Sequence, residues 1–357
     1  MKKQLFFVAC AALALASCSE KETVEMPESA AIGFGTFVDN ATRGGELTTD
    51  KLTEFYVFGK FGENVIFDGV NGPAHVTGSG DNKAWTYSPT QYWQVGTYNF
   101  IAYSPTLPSG CTPAAEANEG DKSYDGVAFT DFTQGDGDNN LDLLVSQAID
   151  PITIATGNLS HSRIDFTFNH ILSMVKVTFK NGFGTGVTAK ITNVKLTGVN
   201  SKGSYAKEAW TMADPAVTTT AFSMCGAEGI TMTDQDASKE TTAVIVIPYN
   251  YEANAVKVQF NIEATYADGT HVGGETNGTD GTYVVEAVLP QVATTGWVKA
   301  NRYNYVAELN ISNTWNPDNP DQKPQPIEFG FTNVTEWPAY SDGGDASVTA
   351  PDVNAGE

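Results

Sequence analysis

The first side chain placed to do chemistry is the thiol of Cys18. It ends the run Leu15-Ala16-Ser17-Cys18, behind a basic start (Met1-Lys2-Lys3) and an apolar segment from Leu5 to Ala16. A basic start, a short apolar segment and small residues before a cut form an export signal. The apolar run is too short to remain as a membrane-spanning helix. A Cys directly after Leu-Ala-Ser resembles the bacterial lipobox, in which the sulfur is acylated and becomes the first residue of the mature chain. Residues 1–17 are then a signal peptide and Cys18 the lipidation site. An ordinary signal peptide with an incidental Cys is the competing reading. Cys10 leaves with the signal, so Cys111 and Cys225 are the remaining thiols, open to a disulfide or to two free thiols.

Catalytic and metal-binding patterns are not evident. The four His residues, His75, His161, His170 and His271, show no His-Glu-x-x-His spacing. There is no Gly-x-Ser-x-Gly elbow, phosphate loop or dinucleotide fingerprint. His170 reads as a hydrogen-bonded core residue. Asp136-Gly-Asp138-Asn-Asn140-Leu-Asp142 places oxygens at alternate positions, as calcium loops do, but lacks the turn Gly and the terminal Glu. It is expected to be a solvated turn. No catalytic residue, cofactor or metal is expected, and the chain is not expected to be an enzyme.

The elements that would position any site are strands. Only 17% of residues are charged, and Gly, Thr, Asn, Val, Tyr and Phe are plentiful. Val256 to Tyr266 alternates apolar and polar residues, the mark of a half-buried antiparallel strand, with Asp268-Gly269 as its turn. Val175 to Lys180 and Tyr303 to Asn310 alternate likewise. Further strands are expected at 54–61, 98–103, 164–168, 191–197 and 243–248. The domain boundary is expected within 148–162, giving β-sandwiches at 44–160 and 161–314. The segment 315–326 carries four Pro and should be extended and stiff, at about 3.1 Å per residue. It leads into a strand-like run, 327–337. A rigid arm that carries a strand away from the body makes sense if that strand pairs with another molecule. With 42 acidic against 20 basic side chains, a net of −22, the chain would repel phosphate backbones, so nucleic acid is excluded as a partner.

Four segments in order resemble the fimbrillins, or type V pilins, of Bacteroides-like bacteria. They are Tyr92-Trp93 through Pro105, Asp142 to Ser146, Phe168 to Phe179, and Asn301 to Leu309. The acidic stretch 19–28 is similar to the export tag of surface lipoproteins in such bacteria, which points to the outer membrane. The resemblance implies an all-β fold of two transthyretin-like β-sandwich domains with a C-terminal donor-strand arm, residues 315–357. It further implies a lipoprotein precursor cut by an Arg-specific protease after an N-terminal strand. The matching bond is Arg43-Gly44, so residues 18–43 would be removed on maturation. Loss of that strand opens a groove that a C-terminal strand of the next subunit fills. An uncut hairpin turn at this place is the alternative.

The two strands concerned are alike. Ile32-Gly-Phe34-Gly precedes the cut and Ile327-Glu-Phe329-Gly follows the Pro-rich segment. Alternate residues share a strand face, so Ile32 and Phe34 match Ile327 and Phe329 in register. The donor strand is therefore expected to insert Ile327, Phe329 and Phe331, with Trp337 closing the far end. The expected function is a structural subunit of an adhesive surface fimbria (pilus), with other pilin subunits and an Arg-specific protease as partners. The competing function is a monomeric surface lipoprotein, or tip adhesin, that binds glycan or host protein through aromatics such as Trp85, Tyr92 and Trp93. A secreted hydrolase is a third.

Overall fold

The computed structural model describes residues 30–38, 52–79, 84–214, 219–272, 282–292, 296–314, 327 and 329–336. Cys18, the Arg43-Gly44 bond, the Pro-rich segment, Trp337 and the tail 338–357 lie outside the described residues.

Period-2 alternation is what builds the fold. Along Lys257–Thr265 the side chains alternate between half-buried and buried, as the sequence predicts, whereas Tyr266, expected on the inner face, is exposed at the end of the strand. The strand expected at 54–61 occupies Glu54–Phe61. In chain order the first half contains β1 (Phe34–Val38), β2 (Glu54–Phe61), β3 (Asn64–Asp68), β4 (His75–Ser79), β5 (Ala84–Thr86) and β6 (Gly96–Ser104). It continues with β7 (Thr112–Ala117), β8 (Tyr124–Thr133), β9 (Leu144–Ser146), β10 (Ile152–Ile154) and β11 (Ile164–His170). The second half contains β12 (Ser173–Asn181), β13 (Val187–Asn200), β14 (Lys202–Ala206), β15 (Ala209–Met212), β16 (Thr219–Ser223) and β17 (Ile230–Met232). It ends with β18 (Ser238–Glu240), β19 (Val244–Val246), β20 (Lys257–Tyr266), β21 (Thr282–Val288), β22 (Asn301–Leu309) and β23 (Gly330–Glu336).

The first sheet runs β1-β11-β9-β6-β2-β4-β5, with β10 on β6 and β3 on β2. Its inner face packs an aromatic core that includes Phe55, Phe67, Trp93, Phe100 and Phe166. The second half is a sandwich of two sheets, β18-β12-β22-β23 and β16-β13-β20-β21. They meet over a second core, where the Phe179 and Phe260 rings lie 4.9 Å apart. The chain is therefore all-β and sandwich-like. Strand β11, expected to open the second half, instead hydrogen-bonds to β9 and β1. Its buried Ile164, Phe166 and Phe168 belong to the first core, so pairing changes over after His170.

A third core joins the halves. Sheet β15-β14-β8-β7 takes two strands from each half. Beneath it Phe129, Phe132 and Tyr103 of the first half pack with Leu172, Tyr205 and Ile247 of the second. The segment 134–142, expected to be a solvated turn, clasps this junction. The Asn140 carboxamide accepts the Ile245 amide N–H at 2.7 Å and donates to the Ile245 carbonyl at 2.8 Å. Both Asp136 oxygens are occupied by Ser223, by its amide at 2.7 Å and its hydroxyl at 2.8 Å. Asp142 Oδ1 bonds His170 Nδ1 at 2.9 Å, both residues being buried. His170 is the hydrogen-bonded core residue the sequence suggests. The turn looked solvated because its partners are distant in sequence: His170 is 28 residues from Asp142, Ser223 87 from Asp136 and Ile245 105 from Asn140.

Asn140→Ala would leave the part-buried Ile245 amide without its acceptor. Such a loss costs about 1–3 kcal/mol. Urea unfolding followed by tryptophan fluorescence should show a lower midpoint. A second transition should separate if the clasp is what makes the two halves unfold together.

Candidate functional site: the two Ile-x-Phe-Gly segments

The N-terminal segment is held along its whole described length. The Ala30 amide donates to the Leu159 carbonyl at 3.0 Å, and the Ala30 carbonyl accepts from the Trp93 amide at 3.0 Å. The Ile32 amide donates to Gln91 at 2.9 Å, and the Ile32 carbonyl accepts from the Tyr87 hydroxyl at 2.7 Å. Strand β1 then runs parallel to β11, from the pair Phe34–Ile164 to the pair Val38–Phe168. Alternation turns Ile32, Phe34 and Thr36 inward. Ile32 is 2% and Phe34 5% exposed.

Phe34 is the centre of an aromatic nest. Its ring lies 5.4 Å from Phe67, 5.5 Å from Tyr87, 5.7 Å from Phe166, 6.1 Å from Phe100 and 6.2 Å from Phe55. The Phe166 ring is stacked on it, and Phe55, Phe67 and Phe100 present edges. Thr36 fits less well, because its buried hydroxyl has no hydrogen-bond partner. The opposite side of the strand carries Gly33 and Gly35. Over Gly35 lie the Arg163 and Asp165 side chains, joined by a 2.7 Å bond from Arg163 Nε to Asp165 Oδ1. Sequence reasoning did not single these two out. The signal was present, since they flank Ile164 and Phe166 at alternate positions and so face away from the core.

The C-terminal segment does not stand away from the body, as a stiff arm was expected to make it do. Ile327 is 6% and Phe329 7% exposed, both within the second core of their own chain. Strand β23 pairs antiparallel with β22, from Val306–Gly330 to Asn301–Glu336, with an irregularity between Asn304 and Tyr305. The reason is the free edge of β22. Its other edge is taken by β12, and a bare row of amides and carbonyls recruits whichever strand can reach it. At Phe331 the backbone pairs with Tyr305. The two Ile-Phe pairs are thus buried alike, in different cores, and the structure does not bring them together.

Glu54 Oε1 accepts from the Thr106 hydroxyl at 2.5 Å and the Thr106 amide at 3.0 Å. Glu54 Oε2 bonds His75 Nε2 at 2.8 Å. Both groups face the carboxylate, so His75 has no hydroxyl to activate and no relay is formed. Burial pushes the Glu54 carboxyl up. The Thr106 bonds and His75 more than offset this and hold it below its usual 4.5. Cys111 and Cys225 are both free thiols, and burial pushes Cys111 up to about 11, which keeps it protonated and unreactive at neutral pH. No group of three or more metal-ligating side chains occurs among the described residues. Of the aromatics considered for a binding face, Trp93 is wholly buried, Trp85 half-buried and Tyr92 54% exposed. A cleft of about 910 Å³ opens between the halves, lined by residues such as Glu116, Asp125, Tyr205 and Lys299.

Three outcomes are expected of this geometry. Phe34→Ala should destabilise the first core by about 3–5 kcal/mol, as large ring deletions do, measured by thermal or urea unfolding. Thr36→Val should act oppositely, raising stability by about 1 kcal/mol through loss of an unbonded buried hydroxyl. Glu54 has a depressed pKa, so its contribution is complete above its unfolded pKa and is lost as pH falls through the lower folded value. Glu54→Gln should therefore lower stability at neutral pH and flatten its decline below about pH 4.5, read from unfolding midpoints across an acid titration.

Comparison with known proteins agrees with this architecture. The chain is 26% identical over 218 residues to fimbrium subunit Fim1C of Phocaeicola vulgatus. That alignment covers 55% of this chain and spans 57% of the length of the curated relative. The fold is similar to the crystal structure of a fimbrial protein from Bacteroides vulgatus, with a TM-score of 0.56 at 16% identity. The superposition covers 86% of this chain and 99% of that one. A family model described as fimbrillin-like matches residues 41–318, most of the chain, and the protein is a member of the fimbrillin-like family.

Proposed function

We propose that this protein is a structural subunit of an adhesive cell-surface fimbria, joined to its neighbours by strand exchange. The observation that carries the reading is the pair of Ile-x-Phe-Gly segments. Each buries its Ile and Phe in a β-core, one in the first half and one in the second. A strand with the same inward pattern can occupy the place of β1 in the same register.

In this reading the precursor is exported, lipidated on Cys18 and held on the outer membrane. An Arg-specific protease cuts the Arg43-Gly44 bond. Residues 18–43 would be removed and 315–357 would serve as arm, donor strand and tail; of the two sandwiches expected at 44–160 and 161–314, the first takes in β11, so the limit between them falls after His170. The acyl chains sit on the far side of the cut from the body, so the strand can stay with the membrane while the body leaves. The vacated nest around Phe34 is then filled by Ile327, Phe329 and Phe331 of another subunit, with Trp337 at the far end. A Phe or Ile side chain gains about 1.5–3 kcal/mol on burial. Ile327 and Phe329 are already buried at home, so moving them changes little by itself. Covering the emptied aromatic nest and re-pairing the edge of β11 offsets the loss of the β22 pairing and of the pockets that Ile327 and Phe329 leave at home, so the exchange is close to balanced. The second reading, a monomeric adhesin, draws on the cleft between the halves, whose volume suits a small ligand.

Surface material from cells that make the wild-type chain should run as an SDS-resistant ladder whose subunits begin at Gly44. Arg43→Ala should abolish the ladder and leave Cys18-acylated monomer in the membrane fraction. Phe329→Ala should be processed normally and polymerise poorly. A ladder of undiminished length from the Arg43→Ala chain, with subunits starting at Cys18, would sink the exchange reading and favour the monomeric one.

A further inference from the structure

The glycine side of β1 is covered by one ion pair. Arg163 and Asp165 stand on the outward face of β11, and Asp165 is the residue directly opposite Gly35 in the ladder. A Cβ built on Gly35 would lie 2.0 Å from Asp165 Oδ1 and 2.7 Å from Arg163 Nε. A Cβ built on Gly33 would lie 3.5 Å from Arg163 Cβ, an ordinary contact. Strand β1 therefore has a closed position at Gly35, where any side chain must push the ion pair aside. It has an open position at Gly33, beside the stem of Arg163.

The C-terminal segment answers both conditions. In Ile327-Glu328-Phe329-Gly330 the fourth residue is again Gly, matching Gly35. The second residue is Glu where the resident strand has Gly33. The two segments are otherwise identical over these four positions, so the difference falls where Arg163 is nearest.

We propose that Arg163, with Asp165, is a specificity-determining latch for the strand that a second copy of this chain donates. It selects a glycine at the fourth position and an acidic side chain at the second. This rests on the strand-exchange reading above and concerns which strand the groove accepts. Glu328 in the place of Gly33 brings its carboxylate beside the Arg163 guanidinium, a contact the resident strand has no side chain to make. Gly330 in the place of Gly35 lets the Arg163–Asp165 bond persist. The partner in this reading is residues 44–357, with 37 acidic against 16 basic side chains, a net of −21, so a basic group at the rim of the groove also offsets repulsion between copies where the strand must enter. A β-rich strand of similar apolar pattern with a bulky fourth residue must displace the Arg163–Asp165 pair, and one with a basic second residue meets Arg163, so both are disfavoured although the apolar nest would admit them. Neither Arg163 nor Asp165 is buried, so the latch adjusts preference and is not the main source of affinity.

The test uses the full chain, trypsin-treated, and fluorescent peptides of sequence 327–337. A Glu328→Lys peptide should bind the wild-type protein about fivefold more weakly than the wild-type peptide, the upper range for an exposed ion pair. The Arg163→Glu protein should lose affinity for the wild-type peptide to a similar extent. It should regain affinity, to within about twofold, for the Glu328→Lys peptide. A Gly330→Val peptide should bind wild-type protein weakly and bind the Arg163→Ala, Asp165→Ala protein better. Unfolding midpoints verify that these surface variants are folded. If substitutions at 328 and 330 leave binding unchanged while Phe329→Ala abolishes it, the latch is wrong and strand exchange stands. If the wild-type peptide does not bind at all, the exchange reading falls and the latch with it.

Discussion

The first half of this molecule depends on one strand. Without β1, the edge of β11 from Ile164 to Phe168 is bare, and the rings of Phe55, Phe67, Tyr87, Phe100 and Phe166 surround an empty space where Phe34 sits. Both deficits are costly. Unpaired backbone groups lose their partners, and aromatic surface returns to water. The deficits do not specify where the strand comes from. Backbone pairing is blind to sequence, and the nest asks only for large apolar side chains at alternate positions. A fold completed by such a strand is intrinsically able to accept a substitute.

The junction between the halves follows the opposite logic. Sheet β15-β14-β8-β7 draws strands from both halves, and the core beneath it mixes side chains from both. The Asn140–Ile245 and Asp136–Ser223 contacts are specific, long-range and polar. A hinged linker would let the halves reorient, whereas a shared sheet makes them one body. In a fimbria this distinction has mechanical content. Tension on a subunit would be carried through packed strands, and the compliant points would be the joints between subunits.

The sequence makes one class of element legible and hides another. Strands with one wet and one dry face announce themselves, and Lys257–Tyr266, Glu54–Phe61 and Asn301–Leu309 were readable because alternation is a local property. The junction was not readable. Asp136, Asn140 and Asp142 have the composition of a solvated turn, and only their distant partners Ser223, Ile245 and His170 give them a structural role. The twin Ile-x-Phe-Gly segments were visible as a pattern. Their burial in different cores was not, because the free edge of β22 that captures β23 exists only after the second half has folded. Arg163 and Asp165 were hidden for a simpler reason. Two charged residues on the wet face of a strand look like solubility, and they acquire meaning only when the neighbouring strand is seen to carry glycine beneath them.

If two strands of the same inward pattern can fill one groove, connectivity decides which does. While the chain is unbroken, β1 is covalently joined to the sheet it completes and competes for the groove as an intramolecular strand. A free strand of equal intrinsic affinity cannot match that. Breaking a bond in the intervening segment leaves every contact of β1 intact and removes only this advantage. The resident strand then holds by its contacts alone, and among them is the buried, unbonded hydroxyl of Thr36. A donor that remains attached to its own folded body, itself held close by earlier joints in a growing chain, inherits the tether advantage that the resident has lost. The groove and the donor lie on different parts of one molecule, so each joint leaves a new groove or a new strand free. Such a heterologous contact has no reason to close into a ring. In the proposed exchange the direction of assembly would follow from where the chain is cut, since two strands of one inward pattern differ little in the contacts they make.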